Sequence, residues 1–289
     1  MMIEGRVLRP EDKIHDLVDL LDSAPGLSEG NVSRPKSGPE KIYDLVDVVE
    51  RKPRMAVVDK GLHDEIMKRS EEIAEKIARE VIPDIAERLI REEIEARSPD
   101  DGILGEEEPE KPGTSGRRWI LDPIDGTKAF THGVPLYTNL LALEDEHGSA
   151  IGVINVPGLG ETVYAGRGLG CFCNGAPAHV NDRRGFDESY ITTSGMSPWD
   201  DDCLLRVKRA GYNIRTWGDG YGYVLVATGR VEAMFDPKAA VYAVAPMPVI
   251  LEAAGGRFPD LAGNVTVAGG NGLATNGQTT AALPAILRC

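Results

Sequence analysis

Two carboxylates stand three residues apart in the string Trp119-Ile120-Leu121-Asp122-Pro123-Ile124-Asp125-Gly126-Thr127. The apolar residues that open it read as the end of a buried strand, so Asp122 and Asp125 emerge where that strand meets a turn. Upstream, Gly105-Glu106-Glu107-Glu108 offers a further carboxylate from a separate loop. Hard divalent cations take oxygen ligands, and a cage of Glu106, Asp122 and Asp125 suits Mg²⁺. The carbonyl of Ile124 is free in the same turn. Gly126-Thr127 can open a helix, and the unpaired amides of a helix start bind phosphate. Thr127 is placed to hydrogen-bond a water and help deprotonate it. A pair of cations would serve as Lewis acids at the attacking and leaving oxygens of an in-line displacement. Phosphate-ester hydrolysis is the chemistry that these residue types at this spacing suggest. The plainer alternative is an ordinary Asp-Pro turn beside a solvated acidic loop. It would suffice for a lone Asp-Pro pair but fits the whole string poorly.

The elements that must position these residues change character along the chain. Residues 1–60 are expected to form an N-terminal extension of unknown role. It holds short helices at Ile14–Leu21 and Ile42–Val49, joined by a Gly-, Ser- and Pro-rich linker at Ala24–Glu40. From Leu62 to Arg97 the pattern is helical, with Ile66, Ile73, Ile77, Ile85, Leu89 and Ile94 at three- to four-residue and longer multiples, and Pro83 is expected to break it into two helices near Val81. Strands follow at Leu140–Leu143, Ile151–Val156, Glu161–Ala165 and Gly170–Phe172, with a hairpin turn at Asn174-Gly175. The second half alternates. Strands are expected at Tyr190–Thr193, Asn213–Trp217, Glu232–Phe235 and Leu273–Thr275. Helices are expected at Tyr221–Thr228, Val244–Ala254 (closed by Gly255-Gly256) and Thr280–Leu287. This order implies an α+β fold, a layered α-β-α-β-α sandwich over 61–289, with halves at 61–185 and 186–289.

Composition narrows the function classes. The 289 residues are 42% hydrophobic and 27% charged, ordinary for a globular chain. A formal net charge of −14 argues against a nucleic-acid surface. No apolar run reaches the ~18 residues of a membrane span, and Met1–Glu11 has no apolar signal-peptide region. A cytoplasmic protein with no membrane partner is expected, and a homodimer is compatible with the sequence. Cys171, Cys173, Cys203 and Cys289 lack zinc-site spacing and read as reduced thiols, Cys171 and Cys173 sharing a strand face. His15, His63, His132, His147 and His179 are scattered and read as surface or structural. Gly166–Gly170 reads as a hairpin loop. Trp217, Tyr221 and Tyr223 read as core packing before pocket lining.

Asp122-Pro-Ile-Asp-Gly-Thr127, with Gly105-Glu106-Glu107 before it, resembles the signature of the inositol monophosphatase family. Gly133-Val134-Pro135, Gly152-Val153-Ile154 and Gly170-Cys-Phe-Cys-Asn-Gly175 extend the likeness. Gly218-Asp219-Gly220-Tyr221-Gly222-Tyr223, Val226-Ala227-Thr228-Gly229-Arg230, Asp236-Pro237 and Ala274-Thr275-Asn276-Gly277 resemble its histidinol-phosphate phosphatase branch. The resemblance covers roughly 84–288. It implies Mg²⁺-dependent hydrolysis of a small phosphomonoester. Glu106, Asp122, Asp125 and the Ile124 carbonyl would be metal ligands, and Thr127 would assist the attacking water. Gly126 and Thr127 amides would hold phosphate. Apart from the resemblance, Lys128 follows within reach of a phosphate oxygen, and a solvated lysine fits that position equally well. Asp219 and Asp236 would meet the leaving alcohol across the cavity from the metals, where acidic groups suit the ammonium or imidazole of histidinol phosphate. The simpler roles are a helix N-cap for Asp219 and a turn residue for Asp236.

The chain departs from the family pattern twice. Tyr242-Ala243 replaces a Trp/Tyr-Asp pair whose Asp binds the second metal, which implies weaker binding there and an impaired reaction. Val81-Ile82-Pro83-Asp84 stands where the family has a mobile Thr-x-Ala-Asp hairpin. Alternatives are therefore an inositol-phosphate-type phosphatase, or a catalytically degenerate member serving as a binding module.

Overall fold

The computed structural model describes residues 2–3, 6–7, 68–69, 72, 76, 81–184, 189–279 and 283–287. The expected helices at Ile14–Leu21 and Ile42–Val49, the linker between them and most of the Leu62–Val81 helix lie outside the described residues. The chain divides into two compact units, 1–58 and 59–289. In the first, β1 (Met2–Ile3) and β2 (Arg6–Val7) pair antiparallel.

The second unit is layered. Helix α1 (Ile82–Arg97) leads into β3 (Gly102–Gly105) and β4 (Arg118–Asp125), then the short helix α2 (Thr127–Thr131). Strands β5 (Thr138–Asp145), β6 (Gly148–Val156), β7 (Glu161–Gly166), β8 (Gly170–Cys173) and β9 (Ala176–Pro177) complete a seven-stranded sheet in chain order. Its β3–β4 pair is parallel and the rest antiparallel. Then come β10 (Tyr190–Thr192), α3 (Asp201–Arg209), β11 (Asn213–Arg215), α4 (Asp219–Ala227) and β12 (Ala233–Asp236). Helices α5 (Val241–Val244) and α6 (Met247–Ala253), strand β13 (Gly272–Thr275) and helix α7 (Leu283–Leu287) close the chain. The second sheet runs β11-β10-β12-β13. Helix α1 packs on β4, α4 and α6 lie between the sheets, and α3 packs against α7. This is the α-β-α-β-α sandwich expected from the order of elements.

The core explains the layering. The largest apolar cluster joins Ile154, Val156 and Val163 of the large sheet to Tyr223–Ala227 of α4 and Met247–Leu251 of α6. Helix α4 is buried from Gly222 to Ala227, as an all-apolar helix must be in water. Cys171 is buried in this cluster and Cys173 packs against it. A second cluster lies under α3 and α7 around Trp199, Phe235 and Leu273. None of the described helices is long and apolar enough to cross a membrane.

The structure corrects the sequence reading in three places. Ile85 and Leu89 are 42% and 57% exposed. The buried face of α1 is instead Pro83, Glu87, Arg91 and Ile94. A salt-bridged Glu–Arg pair at i, i+4 shares the inner stripe with Ile94, so apolar residues alone do not mark the buried face. The single helix expected at Val244–Ala254 is two helices, separated at Pro246, whose ring cannot continue a helical ladder. Helix α3 was not foreseen, although Asp200 caps it through bonds from the Asp202 and Cys203 amides.

Asp200→Ala removes both of those bonds. It should lower stability by about 1 kcal/mol, seen as a thermal midpoint ~2–4 °C lower. An unchanged midpoint would show that the cap contributes nothing.

Candidate active site

Asp122 and Asp125 share a site because β4 is irregular there. Side chains alternate along a strand, so residues three apart face opposite sides. Against β5, however, Asp122 pairs with Leu140 and Asp125 with Thr138. Three steps on β4 thus match two on β5, a bulge that restores both carboxylates to one side. The bulge is held from the next strands. Asn139 Nδ2 donates to the Pro123 carbonyl at 2.6 Å, Asn155 Nδ2 to Asn139 Oδ1 at 2.8 Å, and Thr162 Oγ1 to Asn155 Oδ1 at 2.9 Å.

Asp125 is tied to the start of α4. Its Oδ2 accepts from Thr138 Oγ1 at 2.7 Å and from the Gly220 amide. A Cβ on Gly220 would stand 2.2 Å from Thr138 Oγ1, so only glycine allows this approach. Asp219 precedes it at φ 53°, in the left-handed region. The Asp219 amide donates to Ser194 Oγ at 2.8 Å. Ser194 in turn donates to Asp236 from its amide at 2.8 Å and its hydroxyl at 2.7 Å, and Thr193 Oγ1 donates at 3.2 Å. Asp125, Ser194, Asp219, Tyr223, Asp236 and Ala243 are among the residues that line a cavity of about 150 Å³.

The electrostatics are those of crowded acids. Burial holds Asp122 well above the usual carboxylate range, and the charges of Asp125 and Glu106 push it the same way. Burial likewise raises Asp125, reinforced by Asp219 and Asp236. Glu106 is open to solvent as a residue, yet desolvation of its carboxyl raises it too. The proximity of Glu87 adds to that rise, while hydrogen bonds with Asp122 and Tyr242 oppose it. Burial raises Asp219 against a hydrogen bond from Ser194 and the charge of Lys128. Burial lifts Asp236 to about 6 despite its three donors.

The predicted site residues are thus only partly gathered. Glu106 and Asp122 are within hydrogen-bond reach of each other, and Asp125 is close enough to raise Asp122. Among the described residues, no three acidic, His or Cys side chains are already arranged to hold a metal ion. Asp125 accounts for this, being turned toward Thr138 and Gly220. Thr127 Oγ1 donates to the Ile124 carbonyl at 3.2 Å, joining two expected participants. Gly126, at φ 78°, precedes α2, and Lys128 is exposed.

Asp219 does not lie across the cavity from the carboxylates of β4. A Cβ on Gly126 would be 2.9 Å from Asp219 Oδ2, and Asp236 lines the same cavity as Asp125. The Gly220–Asp125 bond fixes this, because Asp219 cannot be far from a residue its neighbour touches. Asp219 is not an N-cap either. Gly218 holds that position, without a side-chain cap bond. Asp236 is no simple turn residue, being the end of β12 and the acceptor of three bonds. Trp217 is 40% exposed and stacks with Tyr190, with Arg215 over both rings. Ser194, Thr138, Asn139 and the Glu87–Arg91 pair were missed, whereas Tyr223, read first as core packing, is in the core and also lines the cavity. Only Glu87–Arg91 left a signal, as opposite charges one helical turn apart.

Residues 46–288 match the model of the inositol monophosphatase family. A histidinol-phosphatase of Chlorobaculum parvum is 42% identical over 192 residues, 65% of this chain and 74% of its own. That of Mycobacterium tuberculosis is 34% identical over 197 residues, 65% and 76% of the two chains. The structure of a Thermotoga maritima IMPase superposes with a TM-score of 0.67 at 26% identity, over 78% of this chain and 96% of that one.

The crowding has a measurable consequence. A carboxyl whose affinity for protons is raised by folding stabilises the fold fully below its unfolded value near ~3.9. That stability is lost as pH rises through the folded value, about 6 for Asp236. The chelator-treated protein should therefore melt at progressively lower temperature from pH 4 to pH 8. Asp125→Asn, which removes a charge present at pH 8, since Asp125 is raised only to about 7, and keeps an acceptor for Thr138 and Gly220, should raise its midpoint at pH 8 by roughly a few degrees. A lower midpoint for the variant would mean that the Asp125 charge is held by attraction instead of tolerated in repulsion.

Proposed function

The chain belongs to the inositol monophosphatase family, a family of metal-dependent phosphatases, and on that footing we propose a Mg²⁺-dependent phosphomonoesterase acting on histidinol phosphate. One observation carries the metal part of the reading. Asp122 Oδ1 is buried and has no hydrogen-bond partner. Buried polar atoms are almost always satisfied, and an unsatisfied one needs an account. A cation supplies it, since the oxygen sits beside Glu106 and Asp125 in a group that holds protons too tightly for want of positive charge. The donor set, carboxylates and a carbonyl, is what Mg²⁺ takes. Glu106, Asp122, Asp125 and the Ile124 carbonyl would hold it. When bound, Mg²⁺ supplies Lewis-acid stabilisation of charge at the phosphoryl oxygens.

The chain's own residues do the rest. Gly126 and Thr127 present amides to the phosphate, with Lys128 free to close on it. Thr127, whose hydroxyl donates to the Ile124 carbonyl, keeps its oxygen lone pairs to accept a hydrogen bond from the attacking water and orient it. Asp219 and Asp236 set the charge of the alcohol end. An ammonium or imidazolium brought between them relieves their mutual repulsion, whereas a neutral polyol does not. Tyr223 supports this side, since its buried hydroxyl lacks a partner and lies among the same cavity residues. Ala243 favours a second reading, a degenerate member that binds without turning over. A methyl group lines the cavity where the family places a ligand.

Phosphate release in Mg²⁺ with histidinol phosphate and inositol phosphate separates the readings. The first substrate should be preferred, and no release from either at any Mg²⁺ level would favour the binding module. Ala243→Asp should raise the rate by at least about tenfold at limiting Mg²⁺, because it restores an anionic ligand. Asp236→Asn should lower kcat/KM for histidinol phosphate about tenfold while leaving inositol phosphate nearly unchanged. Equal losses on both would reduce Asp236 to a support of the fold.

A further inference from the structure

Beneath the acidic loop lies a carboxylate that the reaction does not use. Glu87, on the inner face of α1, is wholly buried. Its Oε2 accepts the Glu107 amide at 2.7 Å and its Oε1 accepts the Glu108 amide at 3.2 Å. Arg91 lies one turn on, donating from Nε to Glu87 Oε1 at 2.7 Å and from a terminal nitrogen to the Glu108 carbonyl at 3.0 Å. The loop closes onto this pair at Gly105, where an added Cβ would fall 2.0 Å from Glu87 Oε1. Helix α1 therefore grips both sides of the loop backbone directly after Glu106.

Such a grip is costly without a purpose. A buried carboxylate under a run of three glutamates adds like charge where charge is already crowded. Its proximity raises Glu106. A well-packed apolar pair is often as stable as a buried ion pair. Two amides could also be satisfied by a neutral acceptor. What a charged, two-oxygen acceptor adds is direction. It fixes the two peptides that follow Glu106, and hence the path of that residue, while its field favours a cation above.

We propose that Glu87, held by Arg91, is a positioning residue that sets Glu106 for divalent-cation capture. The proposal rests on the metal-dependent reading of the site. Partners behind a metal ligand typically contribute 10–100-fold to metal affinity.

The test is Mn²⁺ binding to the full chain, followed by electron paramagnetic resonance without substrate, alongside thermal unfolding. Glu87→Gln should weaken Mn²⁺ binding at least about tenfold while the protein remains folded. Asp101→Asn is the control. Asp101 is equally buried but accepts from Ser115, Arg117 and Trp119 at the other end of β3. It should lower the midpoint and leave Mn²⁺ affinity unchanged. Glu87→Gln combined with Arg91→Met removes both charges at similar volume, so it should fold even if the single variant does not. It too should bind Mn²⁺ weakly. Wild-type affinity in either folded Glu87 variant overturns the proposal, as does failure of both to fold, which would make Glu87 a fold residue. Absence of Mn²⁺ binding to the wild-type chain is a different result. It overturns the metal reading, and this proposal with it.

Discussion

Like charges forced together at the end of β4 set the terms for the rest of this molecule. Asp122, Asp125, Glu106, Asp219 and Asp236 all hold protons more tightly than free carboxyls, with burial as the leading cause at each. A cluster of this kind opposes folding at neutral pH, so other contacts must hold it. Those contacts are mostly neutral donors. The Gly220 amide and Thr138 hydroxyl bind Asp125, Ser194 binds Asp236 twice, and Asn139 anchors the bulge through Pro123. Cations are few. Lys128 bears on Asp219, Lys238 lines the cavity, and Arg91 is bonded to Glu87 and the Glu108 carbonyl. Neutral donors fix position without cancelling charge, which leaves the field of the site available to a ligand. This is the usual relation between perturbed acids and function.

How much of this could be seen in the residues alone depended on range. The strand–turn–strand order of the large sheet follows local rules, such as the alternation in Ile151–Val156 and the Asn174-Gly175 turn, both positive in φ. Asp122 and Asp125 were legible because the string that carries them is contiguous. What joins them on one side was not, since a bulge is a relation between β4 and β5. The same holds for Ser194, which links Asp219 and Asp236 from a loop 25 and 42 residues away. Helix α1 shows the opposite failure. Its periodicity was local and plain, but Glu87 and Arg91 took the buried stripe because they answer to the Glu106 loop. Apolar pattern predicts the inner face only where that face has no polar work. Pro246 divided a helix that the apolar run alone would have continued.

Position and field part company at Ala243. Its neighbours in the cavity include three carboxylates against one lysine, Lys238, so the negative groups outnumber the positive one although Ala243 itself adds no charge. Both oxygens of Asp236 are already taken by Ser194 and Thr193. Asp125 has one oxygen committed to Gly220 and Thr138. Asp219 is less constrained, its backbone held by Ser194 and its carboxylate lying against Gly126. The cavity can therefore still draw in positive charge while offering it few free oxygens. Attraction of that sort concentrates a cationic metabolite and sets selectivity, but in-line displacement needs fixed charge at the phosphoryl oxygens. The Glu106–Asp122 pair, with its unsatisfied oxygen, is where such charge can still be fixed. On the reading proposed above, the β3 and β4 ends of the site would serve catalysis, and the α4 and β12 ends discrimination.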